Sequence, residues 1–263
     1  PWNLIGYSWS WSLIYSQTVS IVGIYGLGLL TVFCSVCVST IFSNNKNKVY
    51  VFTAIIILIS LYIYGLVRVN NNQLVYTDNE LRIVHTYLDQ KDKWTKKSIE
   101  KTAAIGSPSL ITVFPETSLG FDVERPSNWI AGFIRKDKKK FFNSVSYMGF
   151  IYDKKILVPF GEYFPFSNLL NTLFPENSFF NANLTKGSNN QSFHYNFTPL
   201  VCYEVIFPSF VRNSVSDSSN LLVNLSNDGW FGSFSGPRQH FVHAKFRSIE
   251  LGIPMVRSSN KGI

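Results

Sequence analysis

At 263 residues the chain can hold one good-sized core, or a small membrane region with one domain. Its net charge of +8 comes from scattered Lys and Arg, with Arg135 to Lys140 the one dense run and best read as a solvated loop, so nucleic-acid binding is excluded. Three cysteines, an odd number, imply no disulfide framework.

Charge is distributed unevenly along the chain. Pro1 to Asn45 carries none, and up to Val67 the only charges are Lys46 and Lys48. Leu13 to Phe42 is uncharged and longer than the roughly 20 residues that cross a bilayer as a helix; Val49 to Val67 suits a second, tilted span. Lys46 and Lys48 between them place that loop in the cytoplasm and both outer ends on the far side. Trp2, Tyr7, Trp9, Trp11 and Tyr15 fit an aromatic belt there. Cys34 and Cys37 have the spacing of a redox or metal pair without a further ligand, which points to packing inside the first span. The chain starts at Pro with an apolar stretch and no basic leader, and stops soon after an apparent strand. A fragment of a longer protein is therefore expected, with residues 1–69 a membrane region and 70–263 a catalytic domain.

Beyond Val69 the texture becomes short apolar runs between polar turns. Leu81 to His85 predicts a strand, Lys91 to Ala104 an amphipathic helix and Leu110 to Phe114 a buried strand ending at Pro115-Glu116. Phe141 to Tyr152 predicts a strand pair, followed by a strand at Ile156 to Val158. Thr198 to Cys202 and Leu221 to Leu225 predict strands, the first leading into a helix, and His240 to Leu251 has helical spacing. Strands alternating with helices predict an α/β layered domain. Ser167 to Gln191 is a long Asn-rich connection carrying Leu169, Leu170, Leu173, Phe174, Phe179 and Phe180: either a surface insertion or an apolar lid over a lipid site.

Three residues stand in motifs able to carry chemistry. Cys202 falls at a predicted strand end where an incoming helix offers free N–H groups, which favour a thiolate and can hold an oxyanion. Glu116 also follows a strand, and open α/β sheets place their sites at such ends. Lys154 would add positive charge to the oxyanion. Each residue alone has a bland reading: a core cysteine, a turn carboxylate, a surface lysine. His85, His194, His240 and His243 form no cluster, so no metal site is expected, and no phosphate loop or nucleotide fingerprint implies a cofactor.

The wording around these residues is more specific. Leu157-Val-Pro-Phe-Gly-Glu-Tyr163, Cys202-Tyr-Glu204, Asn224-Leu-Ser-Asn-Asp-Gly-Trp-Phe-Gly232, Gly236-Pro-Arg-Gln-His240, Arg247-Ser-Ile-Glu-Leu-Gly-Ile-Pro254 and Arg257-Ser-Ser-Asn-Lys-Gly262 follow one another in order. Together they resemble the carbon–nitrogen hydrolase (nitrilase-like) superfamily and, within it, the bacterial apolipoprotein N-acyltransferase family. The likeness is loose over the two spans and close from Leu81 onward.

The resemblance implies a nitrilase-like αββα sandwich preceded by transmembrane helices. It implies Glu116 as general base, Lys154 as oxyanion-stabilising cation and Cys202 as nucleophile, with Glu162 supporting the lysine. Tyr203 and Glu204 match residues beside the nucleophile, and Trp230 and Trp94 match aromatic residues near the substrate. It further implies acyl transfer from a phospholipid, through a Cys thioester, to the α-amine of a diacylglyceryl apolipoprotein. The implied setting is the bacterial inner membrane, multi-pass, with a monomeric chain's catalytic domain on the periplasmic face. Two departures are Gly120, where the family often has Pro, and Arg82-Ile-Val-His-Thr-Tyr87, where a Gln-x-Asn phrase is usual. The family also has more membrane helices than two. A small-amide amidase on the same three residues, or a lipoprotein-binding component with a degenerate site, are the rival readings.

Overall fold

In the computed structural model, residues 2–42, 48–72, 80–120, 123–167, 183–188, 195–232 and 234–262 are described. The chain divides into two compact units, one of Pro1–Asp78 with Val242–Pro254, the other of Asn79–Phe241 with Met255–Ile263.

The first unit is helical. A 3-10 segment at Ile5–Trp11 leads to α1 (Leu13–Ser16), α2 (Val19–Ser39) and α3 (Lys48–Asn71). The expected single span from Leu13 to Phe42 is broken. Gln17 and Thr18 separate α1 from α2, and Gly23 sits at φ +66° inside α2, a left-handed conformation that glycine adopts without a Cβ penalty. That break frees the Ile24 N–H from the helical ladder, and it donates to Glu250 Oε1 at 2.7 Å. Val19–Phe42 and Lys48–Asn71 are each long and apolar enough to cross a membrane. Ile21, Leu29, Phe33, Phe52, Ile56 and Ile63 among others stand exposed, as on helices whose surroundings are lipid. Cys34 and Cys37 are free thiols packed with Ala54, Ile57 and Leu58. Lys46, in the loop between α2 and α3, lies outside the described residues.

The second unit is built on two sheets. The first runs β1 (Leu81–Ile83), β2 (Ile111–Val113), β3 (Trp129–Asp137), β4 (Lys140–Tyr147) and β5 (Phe150–Asp153) in spatial order, parallel through β3 and antiparallel after it. The second is parallel, with β6 (Phe197–Val201), β7 (Leu221–Ser226) and β8 (Met255–Ser259). Because side chains alternate along a strand, Val113, Ile130, Val145 and Tyr152 of one sheet meet Val201, Val223 and Leu225 of the other in a shared core. Phe114, Trp129 and Ala131 point the opposite way and pack with Ala103 of α4 (Lys96–Ala103), so the first sheet is buried on both faces.

Several elements differ from expectation. The helix over Lys91 to Ala104 begins only at Lys96. Thr95 caps it by accepting from the Ser98 N–H at 3.3 Å, and turns closed on the Asp89 carbonyl hold Asp92 and Lys93. Ile156 to Val158 forms no strand, because its N–H groups turn to buried carboxylates: Ile156 to Glu204 at 3.3 Å and Val158 to Glu162 at 2.8 Å. Arg135 to Lys140 belongs to the β3–β4 hairpin rather than a loop, and Arg135 pairs with Asp153 at 2.7 Å. After β6 come a 3-10 turn at Cys202–Ile206 and α5 (Pro208–Ser214); α6 spans Gly236–Leu251. Leu169 through Phe180, the segment read as a possible lid, lies outside the described residues.

Candidate active site

Parallel strands deliver their functional side chains at their C-terminal ends. Glu116 follows β2, Cys202 follows β6, Asn227 follows β7, and Lys154 follows β5 in the antiparallel part. The Lys154 N–H donates to the Asn143 carbonyl at 2.8 Å, extending the β4–β5 ladder by one residue. All four site residues are buried, with Lys154 at 1% exposure and Glu116 at 4%.

The centre is an ion cluster. Lys154 Nζ donates to Glu116 Oε1 at 3.1 Å and to Glu162 Oε1 at 2.8 Å. Asn143 Nδ2 bridges the same two oxygens at 2.7 and 2.9 Å, while the Asn227 N–H donates to Glu116 Oε2 at 2.8 Å. Burial alone would push the Glu116 carboxyl up, but Lys154, Lys93 and the Asn143 bond outweigh it and hold the carboxyl below its ordinary range. Burial would likewise push Lys154 down, and the Glu116 and Glu162 carboxylates reverse that, raising it. Glu116 is therefore ionised and Lys154 a cation at neutral pH.

Cys202 takes a left-handed backbone, φ +47°, where the chain turns from β6 into the 3-10 segment. Burial, then the Glu116 charge, raises its thiol to about 12, against a smaller lowering by Lys154. Cys202 thus rests as a thiol under the influence of both charges. Behind it, Ser226 Oγ donates to Asp228 Oδ1 at 2.8 Å and lies 3.5 Å from Cys202 Sγ. His240 bridges the Cys202 carbonyl (Nε2, 3.1 Å) and Asp228 (Nδ1, 2.8 Å), and Arg257 pairs with Asp228 at 2.7 Å.

The remaining sequence-read residues divide into two groups. Glu204 is fully buried and accepts from Val201 N (2.7 Å), Lys155 N (2.6 Å) and Tyr152 Oη (2.9 Å), tying the Cys202 and Lys154 segments together. Burial, partly offset by those donors, raises its carboxyl to about 7. Tyr203 packs edge-on against Phe207 at 5.0 Å. Trp94 and Trp230 are exposed, 46% and 67%, and so belong to neither core cluster of this unit. Sequence reasoning missed Lys93, Asn143 and Ser226. Asn143 lies mid-strand with no local signature, whereas Ser226, Asn227, Asp228 and His240 stand inside phrases already quoted, so their role was legible only as part of a motif. Among the described residues no group of three or more His, Cys, Asp or Glu is placed to hold a metal.

Gly132 on β3 sets how closely the Glu116 turn can approach. A Cβ there would lie 2.5 Å from the Pro115 carbonyl oxygen and 2.8 Å from Glu116 Cα. Gly132→Ala is expected to push that backbone away, lowering the unfolding temperature and displacing the carboxylate from Lys154. Thermal unfolding alongside the rate of Cys202 alkylation checks it; unchanged values in both would show that the turn tolerates the shift.

Residues 90–263 match the carbon-nitrogen hydrolase family. The apolipoprotein N-acyltransferase of Rickettsia bellii is 33% identical over 301 residues, covering all of this chain and 60% of that protein. Those of Rickettsia typhi (31%, 60% of that protein) and Bradyrhizobium diazoefficiens (28%, 58%) also cover the whole chain. This chain therefore spans about 60% of the length of those curated relatives. Saccharomyces cerevisiae Nit3, a nitrilase-superfamily protein, aligns at TM-score 0.47 and 14% identity over 72% of this chain and 78% of its own. The two apolar helices, with the relatives' naming, suggest a membrane protein. The fold is the nitrilase-like one, mixed α/β with two sheets, and the chain belongs to the carbon-nitrogen hydrolase family.

Proposed function

We propose that the chain carries the catalytic part of an apolipoprotein N-acyltransferase, working by a ping-pong transfer through a thioester on Cys202. The observation that supports it most is the buried Glu116–Lys154–Glu162 cluster acting on the thiol, in a chain that also holds two span-length apolar helices. Because the thiol is raised and Glu116 depressed, proton transfer at rest is uphill, so the proton leaves in step with attack rather than before it.

In the first half-reaction Cys202 Sγ attacks a phospholipid ester carbonyl as Glu116 accepts the thiol proton. Lys154 and the Tyr203 N–H hold the oxyanion. Collapse expels the lyso-phospholipid oxygen, which takes the proton from Glu116. In the second, the α-amine of a diacylglyceryl-cysteine attacks the thioester, Glu116 accepts the amine proton, and the amide forms as the sulfur is reprotonated. Water must be kept from the thioester, since hydrolysis competes; Leu169 to Phe180 is proposed for that role. The exposed Trp94 and Trp230 rings are offered to the lipid or peptide substrate. The proposed setting is the periplasmic face of the inner membrane, and the proposed state a monomer.

Intact-mass spectrometry after incubation with phospholipid tests the reading. The chain should gain one fatty acyl mass and release lyso-phospholipid, and Cys202→Ala should gain nothing. An acyl mass on Cys202→Ala, or release of ammonia from simple amides without any lyso-phospholipid, would overturn it.

A further inference from the structure

Lys93 precedes the α4 cap among exposed Lys91, Lys96 and Lys97, yet it is 3% exposed. Its Nζ donates to the Glu116 carbonyl oxygen at 3.0 Å and to Thr117 Oγ1. The side-chain amide of Asn227 lies 3.0 Å from the same nitrogen. An ammonium has only donors, so the amide must present its oxygen there, leaving its nitrogen 3.2 Å from Asn260 Oδ1. Three N–H bonds thus meet three neutral acceptors, and among the described residues no carboxylate pairs with the ammonium directly.

Those acceptors are not incidental. Glu116 and Thr117 form the turn after β2, with Thr117 at φ +46°; Asn227 opens the turn after β7, and its own N–H donates to Glu116 Oε2. One buried side chain therefore fastens two strand-end turns around the carboxylate. Charge supplies the second argument. Glu116 and Glu162 face a single ammonium in Lys154, leaving one uncompensated negative charge beside a sulfur that must become negative. Lys93 Nζ bonds the backbone carbonyl of the same Glu116 whose carboxylate pairs with Lys154, which puts its charge at the edge of this cluster.

We propose that Lys93 is a positioning residue of the acyl-transfer site, holding the Glu116 turn against Asn227 and supplying the second positive charge that makes a thiolate and its oxyanion tolerable. This rests on the reading of Cys202 as nucleophile and Glu116 as base. Burial lowers the Lys93 ammonium to about 8, with the Glu116 and Cys202 charges opposing and Lys154 adding to the fall. Its contribution is therefore present at neutral pH and is lost as pH rises through that value. Arginine in its place would not titrate.

The test is the rate of Cys202 alkylation by iodoacetamide as a function of pH, on the full chain in detergent, with peptide mass mapping to separate Cys202 from Cys34 and Cys37. Lys93→Met and Lys93→Gln should slow alkylation about tenfold at neutral pH, the effect of removing one nearby charge, and by less once pH rises past the value at which Lys93 itself loses its proton. Gln keeps amide donors for the turn, so slowing in Gln as well as Met reports charge and not packing. Lys93→Arg should restore the neutral-pH rate and keep that advantage at higher pH. A folded neutral variant with the wild-type rate at neutral pH overturns the proposal. If neither neutral variant folds, the wild-type profile must carry an inflection near pH 8 that Lys93→Arg removes; its persistence in Lys93→Arg overturns the proposal equally. Iodoacetamide needs no lipid, so a wrong acyl donor leaves this readout intact, whereas a Cys202 that alkylates in no form of the protein removes the nucleophile reading itself.

Discussion

Lys154→Met is expected to reduce acyl-enzyme formation by about 10²–10³-fold, the usual cost of losing an oxyanion donor. The loss should be in the rate of the covalent step, since nothing places Lys154 on the part of the lipid that does not react. A second effect follows from its partners. Glu116 Oε1 and Glu162 Oε1 both sit within 3.1 Å of Lys154 Nζ and share the Asn143 amide. Removing the cation leaves two buried carboxylates facing each other, at a cost of about 3–5 kcal/mol if both stay ionised. One would instead keep its proton, as paired carboxyls do. The sign can be read in unfolding experiments. In the wild type Glu116 is depressed, so its contribution to stability is present at neutral pH and lost as pH falls through its folded value. In Lys154→Met a carboxyl is raised, so the variant should gain stability relative to wild type as pH falls. Thermal unfolding over an acid series measures this. A variant that acylates at the wild-type rate would remove Lys154 from the chemistry.

Glu116→Gln should lower acyl-enzyme formation by about 10²–10⁴-fold, the range a positioned general base contributes. The change keeps the shape but not the proton acceptor. It is not silent structurally. Every bond at the Glu116 carboxylate is accepted: Oε1 from Lys154 and Asn143, Oε2 from the Asn227 N–H. An amide nitrogen at the second position would face the Asn227 donor, at a cost of about 1–3 kcal/mol. Rate and stability losses are separable by measuring acylation at a temperature well below unfolding. A folded Glu116→Gln that still accumulates acyl-enzyme at the wild-type rate would show that another group takes the thiol proton.

Much of this was visible in the amino-acid sequence. The uncharged stretch to Asn45 and the run from Val49 stated the helical region. Three motifs located Glu116, Lys154 and Cys202, because a strand followed by a polar phrase is a local pattern. The errors have physical causes. Leu13 to Phe42 read as one span because hydropathy does not register a glycine at positive φ, and the partner that accepts from Ile24 N–H, Glu250, lies far along the chain. Ile156 to Val158 read as a strand because its side chains are apolar. Its N–H groups go to Glu204 and Glu162, which local periodicity cannot show.

Lys93 is the clearest case of what lay beyond the sequence. In a window of lysines with helical spacing, it is indistinguishable from its exposed neighbours. Composition and motif wording determined the family and pointed to Cys202, Glu116 and Lys154 as the candidates for nucleophile, base and cation, since those depend on residue identity at strand ends. Which lysine is buried, and which turn it fastens, depended on β2 and β7 ending side by side. Hydrogen-bond acceptors from Glu116, Thr117 and Asn227 converge only once the sheets have packed.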